Sequence, residues 1–353
     1  MPAPNQPLHG RGASANPANR FERLACTPDP ECAEEDAPLP RTQFFKDDTQ
    51  SIIARNDSPD VGFSAGINAY RGCEHGCIYC YARPTHEYLG FSAGLDFESK
   101  IMVKERAPEL LRKALSSPRW KPEVIAMSGN TDCYQPAERR FRITRRCLEV
   151  LLEFRNPVGI ITKNHLVTRD IDLLSQLAKF DCVSVAISIT SLDDKLRKNL
   201  EPRTSPPQRR LAALRALREA GIPAGVLTAP MIPGLNDHEM PAILAAAAEA
   251  GALFAGFVPV RLPYGVAPLF EQWLEEHYPG KKEKILSRIR DLRGGKLNDP
   301  NFGTRFTGQG VWAEQMRALF EAGCKKAGIK NDFPGLTTKN FRPVQQELAL
   351  FGN

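Results

Sequence analysis

The chain offers no run of apolar residues clean enough to read as a membrane span. Its most apolar window, residues 242–260 (AILAAAAEAGALFAGFVPV), has about the length of one. It is interrupted by Glu249, Gly251, Gly256 and Pro259, so it reads as a helix running into a buried strand. The first residues, MPAPNQPLHGRGASANPANRFERL, show neither a basic n-region followed by an apolar h-region nor an Arg-rich, acid-poor transit pattern. A cytoplasmic protein with no membrane partner is expected. Charge of one sign is also scarce in excess: 47 basic against 41 acidic residues leave +6. Spread along the chain, that balance allows a nucleic-acid partner without indicating one. There is no helix-turn-helix, zinc-finger or RRM signature. The runs Arg139-Arg140, Arg145-Arg146 and Lys281-Lys282-Glu283-Lys284 read as solvated helix faces with acids mixed among them. Hydrophobic residues at 42% and charged residues at 25% exclude a disordered or collagen-like chain.

Paired C-x2-C units are missing as well, and the cysteine count of nine is odd. Without a secretory signal this argues against a disulfide framework and for reduced thiols with metal or redox chemistry. Residues 1–45, rich in Pro, Asn and Gly, read as a loosely ordered leader. Cys26 and Cys32 lie in it, as incidental thiols, an extra metal site or a pair that oxidises together. Residues 46–268 alternate apolar strand-like runs with helical periodicity. The runs are AGINAYRG from Ala65, Val124–Asn130, Val158–Asn164, Cys182–Thr190, Ala224–Pro230 and Leu253–Pro263. Segments with helical spacing separate them, among them RRFRITRRCLEVLLEF and PPQRRLAALRALREAG. Six βα units of this kind form a parallel sheet covered by helices, either doubly wound or a partial (β/α)6 TIM-like barrel. In both, sites form where the strands end. Residues 269–353 read as a helical C-terminal extension that covers the barrel mouth, binds a partner or simply packs.

What is present is YRGCEHGCIYCYARPTHEY, Tyr70 to Tyr88, with Cys73, Cys77 and Cys80 within eight residues and no fourth cysteine nearby. Closely spaced thiolates bind zinc or iron–sulfur. Structural zinc wants a fourth protein ligand, for which His75 and His86 are the local candidates. A cubane with three cysteine ligands leaves one iron open for a cofactor. Cys147 and Cys182, at apolar helix and strand positions, read as small buried hydrophobes.

The spacing C-x3-C-x-aromatic-C, directly after the first strand of a six-unit βα chain, resembles the radical S-adenosylmethionine (radical SAM) superfamily over roughly residues 60–265. The resemblance implies an α/β partial barrel and a [4Fe-4S] cluster on Cys73, Cys77 and Cys80. It also implies S-adenosyl-L-methionine bound at the open iron, and an electron donor such as flavodoxin or ferredoxin. The chemistry it implies is reductive cleavage to methionine and a 5′-deoxyadenosyl radical that abstracts hydrogen from substrate. By the same resemblance Gly129, Asn130, Thr131 and Asp132 of SGNTD match the loop contacting the methionine amino group, although the usual glycine–glycine–glutamate form is absent. Asp132 is equally a helix cap. Ser188 and Ser191 match positions contacting carboxylate or ribose, and Arg203 is a candidate carboxylate partner or a solvated loop arginine. The segment Val226–Asp237 resembles the one that packs on the adenine, and the resemblance implies Tyr79 at the adenine edge, with core packing as the alternative.

The stretches NTDCYQPAERRFRITRRCLEVL, ITKN and LEPRTSPPQRR resemble the group that contains spore photoproduct lyase. Three functions follow as expectations. The first is a radical enzyme acting on an unidentified substrate. The second is repair of a pyrimidine lesion, with Cys133 as the candidate catalytic hydrogen donor and a concentrated basic surface to grip phosphates. The third, of another class, is a non-catalytic zinc-stabilised binding module.

Overall fold

The computed structural model describes residue 8, residues 10–22 and residues 41–343. Cys26 and Cys32 lie outside the described residues. The strands are β1 (Gln43–Lys46), β2 (Ile53–Arg55), β3 (Ala65–Ile67), β4 (Tyr70–Arg71), β5 (Lys100–Val103), β6 (Ile125–Met127), β7 (Val158–Thr162), β8 (Val183–Ser188), β9 (Ala224–Met231) and β10 (Ala255–Pro259). The helices are α1 (Leu95–Ser99), α2 (Ala107–Leu115), α3 (Glu138–Phe141), α4 (Ile143–Phe154), α5 (Ile171–Ala178), α6 (Asp194–Leu200), α7 (Pro207–Glu219), α8 (Met240–Glu249), α9 (Val266–His277), α10 (Lys282–Leu292) and α11 (Gly310–Ala327).

Strands β3, β6, β7, β8, β9 and β10 lie side by side, all parallel and in chain order. They are the six runs expected from the sequence. A doubly wound sheet reverses its strand order part-way; this one never does, and its edge strands β2 and β10 are not paired with each other. The result is an open partial barrel. Strand β2 caps one edge antiparallel to β3. Central β8 is buried at every position, as a parallel strand covered on both faces must be. Cys147 and Cys182 are buried in the apolar core between sheet and helices, at the positions their apolar surroundings predicted.

Several elements depart from the sequence reading, each for a local reason. The helix expected over RRFRITRRCLEVLLEF breaks at Arg142, whose φ of 51° is left-handed and separates α3 from α4. A second small sheet, β1-β5-β4, brings together strands far apart in sequence and too short to show a period. The boundary at residue 268 falls inside α9. Residues 10–22, within the segment expected to be loosely ordered, are tied down. The Gly12 and Ala13 amides donate to the Glu98 carboxylate at 3.0 and 2.9 Å, and Asn19 donates to the Glu87 and Phe91 carbonyls.

The C-terminal extension covers two places. Helices α9 and α10 contribute Phe270, Trp273, Ile285 and Ile289 to an apolar cluster with Ile78, Tyr79, Ile232 and Val260, at the strand-end face. Helix α11 packs across α8. Beyond it the Lys330 carbonyl accepts from the Ala255 amide at 2.8 Å, extending the sheet past the β10 edge.

Candidate active site

The three thiols sit on a loop between β4 and a short helical turn, Arg83–Leu89, and the backbone of that loop is tied at several points. The Cys73 amide donates to the Phe97 carbonyl (2.9 Å), Ile78 to Leu200 (3.0 Å) and Cys80 to Cys77 (3.2 Å), while the His75 carbonyl accepts from the Arg203 amide (3.2 Å). The fully buried Arg83 reaches back to the loop, donating to the carbonyls of Cys77 (3.0 Å) and Gly76 (3.2 Å), and pairs with the equally buried Glu98 at 2.5 Å. Gly76 is left-handed (φ 67°), and a Cβ there would meet the Glu98 carboxylate at 2.6 Å. A Cβ on Gly12 would overlap the Gly76 carbonyl oxygen at 1.7 Å. Only glycines let the leader, the loop and Glu98 stack this closely.

Cys73 and Cys77 are buried and Cys80 is half-buried. Burial pushes all three thiols up. For Cys73 the charge of Asp132 adds to that effect, for Cys77 Glu201 adds and Lys163 opposes, and for Cys80 Arg83 opposes. Metal-free, the thiols therefore hold their protons at neutral pH and must release them to act as ligands.

Beside the loop, at the ends of β7, β8 and β9, lies a buried charge network. The Lys163 amino group donates to Ser188 Oγ (2.6 Å), the Ala229 carbonyl (2.8 Å) and Thr190 Oγ1 (3.2 Å), and lies 3.3 Å from Glu201. The Glu201 carboxylate accepts from Thr190 (2.5 Å) and from the Tyr79 hydroxyl, and pairs with the buried Arg210. Burial opposes its charge, but Arg210 and Lys163, with the hydrogen bonds of Thr190 and Tyr79, hold its carboxyl well below the usual range. Tyr79, next to the last thiol, is thus fixed by its hydroxyl as well as its ring. Thr190, Glu201 and Arg210 were not among the residues expected from the sequence, although Glu201 and Arg210 lie in the LEPRTSPPQRR stretch that drew attention; Lys163, in ITKN, stands at a strand end where polar residues recur.

The expected residues of the strand-end loops divide into two groups. Gly129 and Asn130 face open space: a Cβ on Gly129 would touch nothing within 4 Å, and Asn130 is exposed. Their loop is fastened to the end of β3 by Asn68, whose side-chain oxygen accepts from the Asn130 (2.9 Å) and Thr131 (3.3 Å) amides. Ser188 joins the Lys163 network. The others are committed elsewhere. The Thr131 hydroxyl donates to the Tyr70 carbonyl (2.8 Å). Asp132 accepts from Thr162 Oγ1, the Lys163 amide and the Tyr134 amide, each at 2.8 Å, and stands 3.4 Å from His75 Nδ1. Ser191 donates to Glu239 at 2.7 Å. Arg203 pairs with Glu74 at 2.9 Å, turning away from the network that Arg210 enters. Cys133, expected on the reaction face, is 1% exposed and packed in the apolar core, and burial pushes its thiol well up.

The donor set fits an iron–sulfur cluster better than a single ion. Among the described residues no three His, Cys, Asp or Glu side chains gather as ligands of one metal ion, whereas the thiolates of a cubane bind different irons and stand further apart. His75 is no free fourth ligand: Nδ1 faces Asp132 and Nε2 lies 3.1 Å from the Asn164 side-chain amide. His86 is buried between the rings of Phe91 and Phe97, at centroid distances of 5.2 and 5.6 Å, and among the described residues its ring nitrogens have no hydrogen-bond partner.

Six parallel strands in sequential order, with three thiols on an anchored loop at their ends, define a partial-barrel protein with its thiols gathered at the strand-end face. Residues 67–247, half of the chain, match the model of the radical SAM superfamily, and the chain belongs to that superfamily. The family's cofactors are a [4Fe-4S] cluster and S-adenosylmethionine. An uncharacterized protein of Mycobacterium tuberculosis is 37% identical over 68% of this chain and 70% of its own length. An uncharacterized protein of Methanocaldococcus jannaschii is 31% identical over 63% and 79%. Among solved structures, a spore photoproduct lyase mutant with bound AdoMet and dinucleoside spore photoproduct shares the fold, with a TM-score of 0.58 and 17% identity over 80% of this chain and 78% of that one. Among the described residues no helix is long and apolar enough to cross a membrane.

Proposed function

We propose that this chain is a radical SAM enzyme in which Cys73, Cys77 and Cys80 hold a [4Fe-4S] cluster that leaves one iron for S-adenosylmethionine. When bound, these groups supply reductive cleavage of the sulfonium bond and a 5′-deoxyadenosyl radical that takes hydrogen from an organic substrate. The protein's own residues bind, orient and exclude water. Arg83 and Glu98 fix the curvature of the thiol loop. With the Gly129 carbonyl held by the Tyr81 hydroxyl and the Asn130 amide by Asn68, the Gly129 amide and the Asn130 carbonyl are the backbone groups offered to the methionine end of the cofactor. Ser188, held by Lys163, offers a hydroxyl. Tyr79 presents a ring whose hydroxyl is anchored by Glu201. Asp132 acts indirectly, setting His75 and the Lys163 backbone. A one-electron donor such as a flavodoxin or ferredoxin supplies the reductant.

The observation that carries this reading is the anchored three-thiol loop against the Lys163–Glu201 network at the ends of β7, β8 and β9. Its test is S-adenosylmethionine cleavage by anaerobically reconstituted, dithionite-reduced protein, with and without ultraviolet-irradiated DNA. Formation of 5′-deoxyadenosine is expected, and none from a protein carrying a full cluster would sink the proposal. A second reading, lesion repair, draws on the likeness to spore photoproduct lyase over 80% of the chain. It predicts that irradiated DNA stimulates cleavage and emerges repaired. With Cys133 in the core, that reading needs a hydrogen donor other than Cys133.

A further inference from the structure

On the outer side of the thiol loop the βα connections enclose a cleft of about 560 Å³, within the size range of about 300–1,000 Å³ common for small-ligand sites. It adjoins the loop: Asn164 lines the cleft and stands 3.1 Å from His75, and Arg203 lines it and pairs with Glu74. Four arginines line it, Arg139, Arg169, Arg203 and Arg209, together with His165, and none of the lining residues is acidic. Arg169 and Arg203 are neutralised by Glu138 with Asp170 and by Glu74. Arg139 and Arg209 have no carboxylate partner among the described residues, and both are exposed.

Positive charge gathered in a concavity focuses the potential there and draws anions to it. His165 registers the crowding: it stands 3.4 Å from the Arg209 guanidinium, and burial together with the charges of Arg209 and Arg139 pushes its pKa down. The rim adds more positive potential. Pro206, a lining residue, caps the N-terminus of the 13-residue helix α7. Two guanidinium forks suit the several oxygens of a phosphate better than a lone carboxylate.

We propose that this cleft is a phosphate-binding site, with Arg139 and Arg209 as its principal ligands, placed to hold a phosphate-bearing molecule beside the thiol loop. The phosphate can belong to a free phosphorylated compound or to a nucleic-acid strand. The inference stands on side chains outside the cofactor machinery and does not depend on the radical reading.

The probes are inorganic pyrophosphate and a short single-stranded oligonucleotide, titrated into the full chain by calorimetry at low ionic strength. The proteins compared are the unmodified chain, Arg139→Gln/Arg209→Gln, and the charge-matched control Lys281→Gln/Lys284→Gln. Saturable one-to-one binding is expected, weakened at least tenfold by the arginine pair, unchanged by the lysine pair and weakened by added salt. Tighter pyrophosphate binding assigns the site to a phosphorylated small molecule, and tighter oligonucleotide binding to a strand. The proposal is overturned if neither probe saturates, if the arginine variant binds like the unmodified chain, or if the lysine control loses as much. Thermal unfolding of each variant identifies any protein whose loss of binding is a loss of fold. Because both arginines are exposed, the arginine variant is expected to melt like the unmodified chain. Were it not to, Arg139→Lys/Arg209→Lys, which keeps the charge but not the fork, must still bind at least threefold more weakly or the proposal fails.

Discussion

Arg209 and Arg210 are neighbours in sequence and opposites in placement. Arg210 points inward, 1% exposed at its side chain, and is locked to Glu201 with further bonds to the Ser188 and Ser205 carbonyls. Arg209 points outward into the cleft, near His165 and without a carboxylate partner among the described residues. The contrast extends to the two sides of the thiol loop. On the inner side every strong charge is buried and matched, which is how ionised groups survive out of water. On the outer side the matching is left incomplete. Matched charges hold the site's geometry, and unmatched ones are available to a ligand.

The most damaging way to break the inner side is to leave one member of a buried pair alone. Arg83→Ala or Glu98→Ala should destabilise the metal-free protein by about 3–5 kcal/mol, read from urea unfolding. Arg83→Met/Glu98→Leu should lose less than either single change, because no unpaired charge remains. Next comes Glu201→Ala, which strands Arg210 and Lys163 and frees the Tyr79 hydroxyl. A loss of about 3 kcal/mol is expected, with Glu201→Gln milder. Equal stability of Glu201→Ala and the unmodified protein would mean that the network is not the structural element described.

A third prediction concerns pH. Burial lowers the His86 pKa from 6.5 to about 4, with Asp96 opposing. Between those values the unfolded chain binds the proton and the folded one does not, so stability is full above pH 6.5 and falls as pH drops toward 4. The His86 contribution is roughly 3 kcal/mol at most, and unfolding curves of His86→Leu should lack that part of the acid slope. The smallest effect belongs to the outer side: Arg209→Gln should change stability by no more than about 0.5 kcal/mol, whereas Arg210→Gln, one residue along, should cost several times more.

The fold was legible because parallel strands announce themselves as short apolar runs and helices as periodic ones, as in Val183–Ser188 and Pro207–Glu219. The thiol loop was legible because three cysteines at that spacing carry chemistry in the sequence itself. The rest of the site was hidden by the same physics that builds it. Lys163, Glu201 and Arg210 carry no local mark of burial, since burial by pairing depends on partners as far as 38 positions apart. Arg203, which the sequence offered as a carboxylate partner, pairs with Glu74, whereas Arg210 enters the buried network. Cys133 was placed correctly after the second strand of the barrel, but which way a side chain turns at a βα bend is set by packing, not by order. The anchoring of Gly12 and Ala13 depends on Glu98, more than eighty residues away, and a polar stretch of small residues gives no local sign of it.

The measurement that tests the central claim most directly is iron and sulfide analysis, alongside S-adenosylmethionine cleavage, of the unmodified chain and of Cys73→Ala, Cys77→Ala and Cys80→Ala after anaerobic reconstitution. About four iron and four sulfide per chain, with 5′-deoxyadenosine formed, are expected for the unmodified protein. Each variant is expected to lose cleavage. A variant that retained a full cluster and full cleavage, or an unmodified chain that bound one zinc and no sulfide, would contradict the assignment of these three thiols.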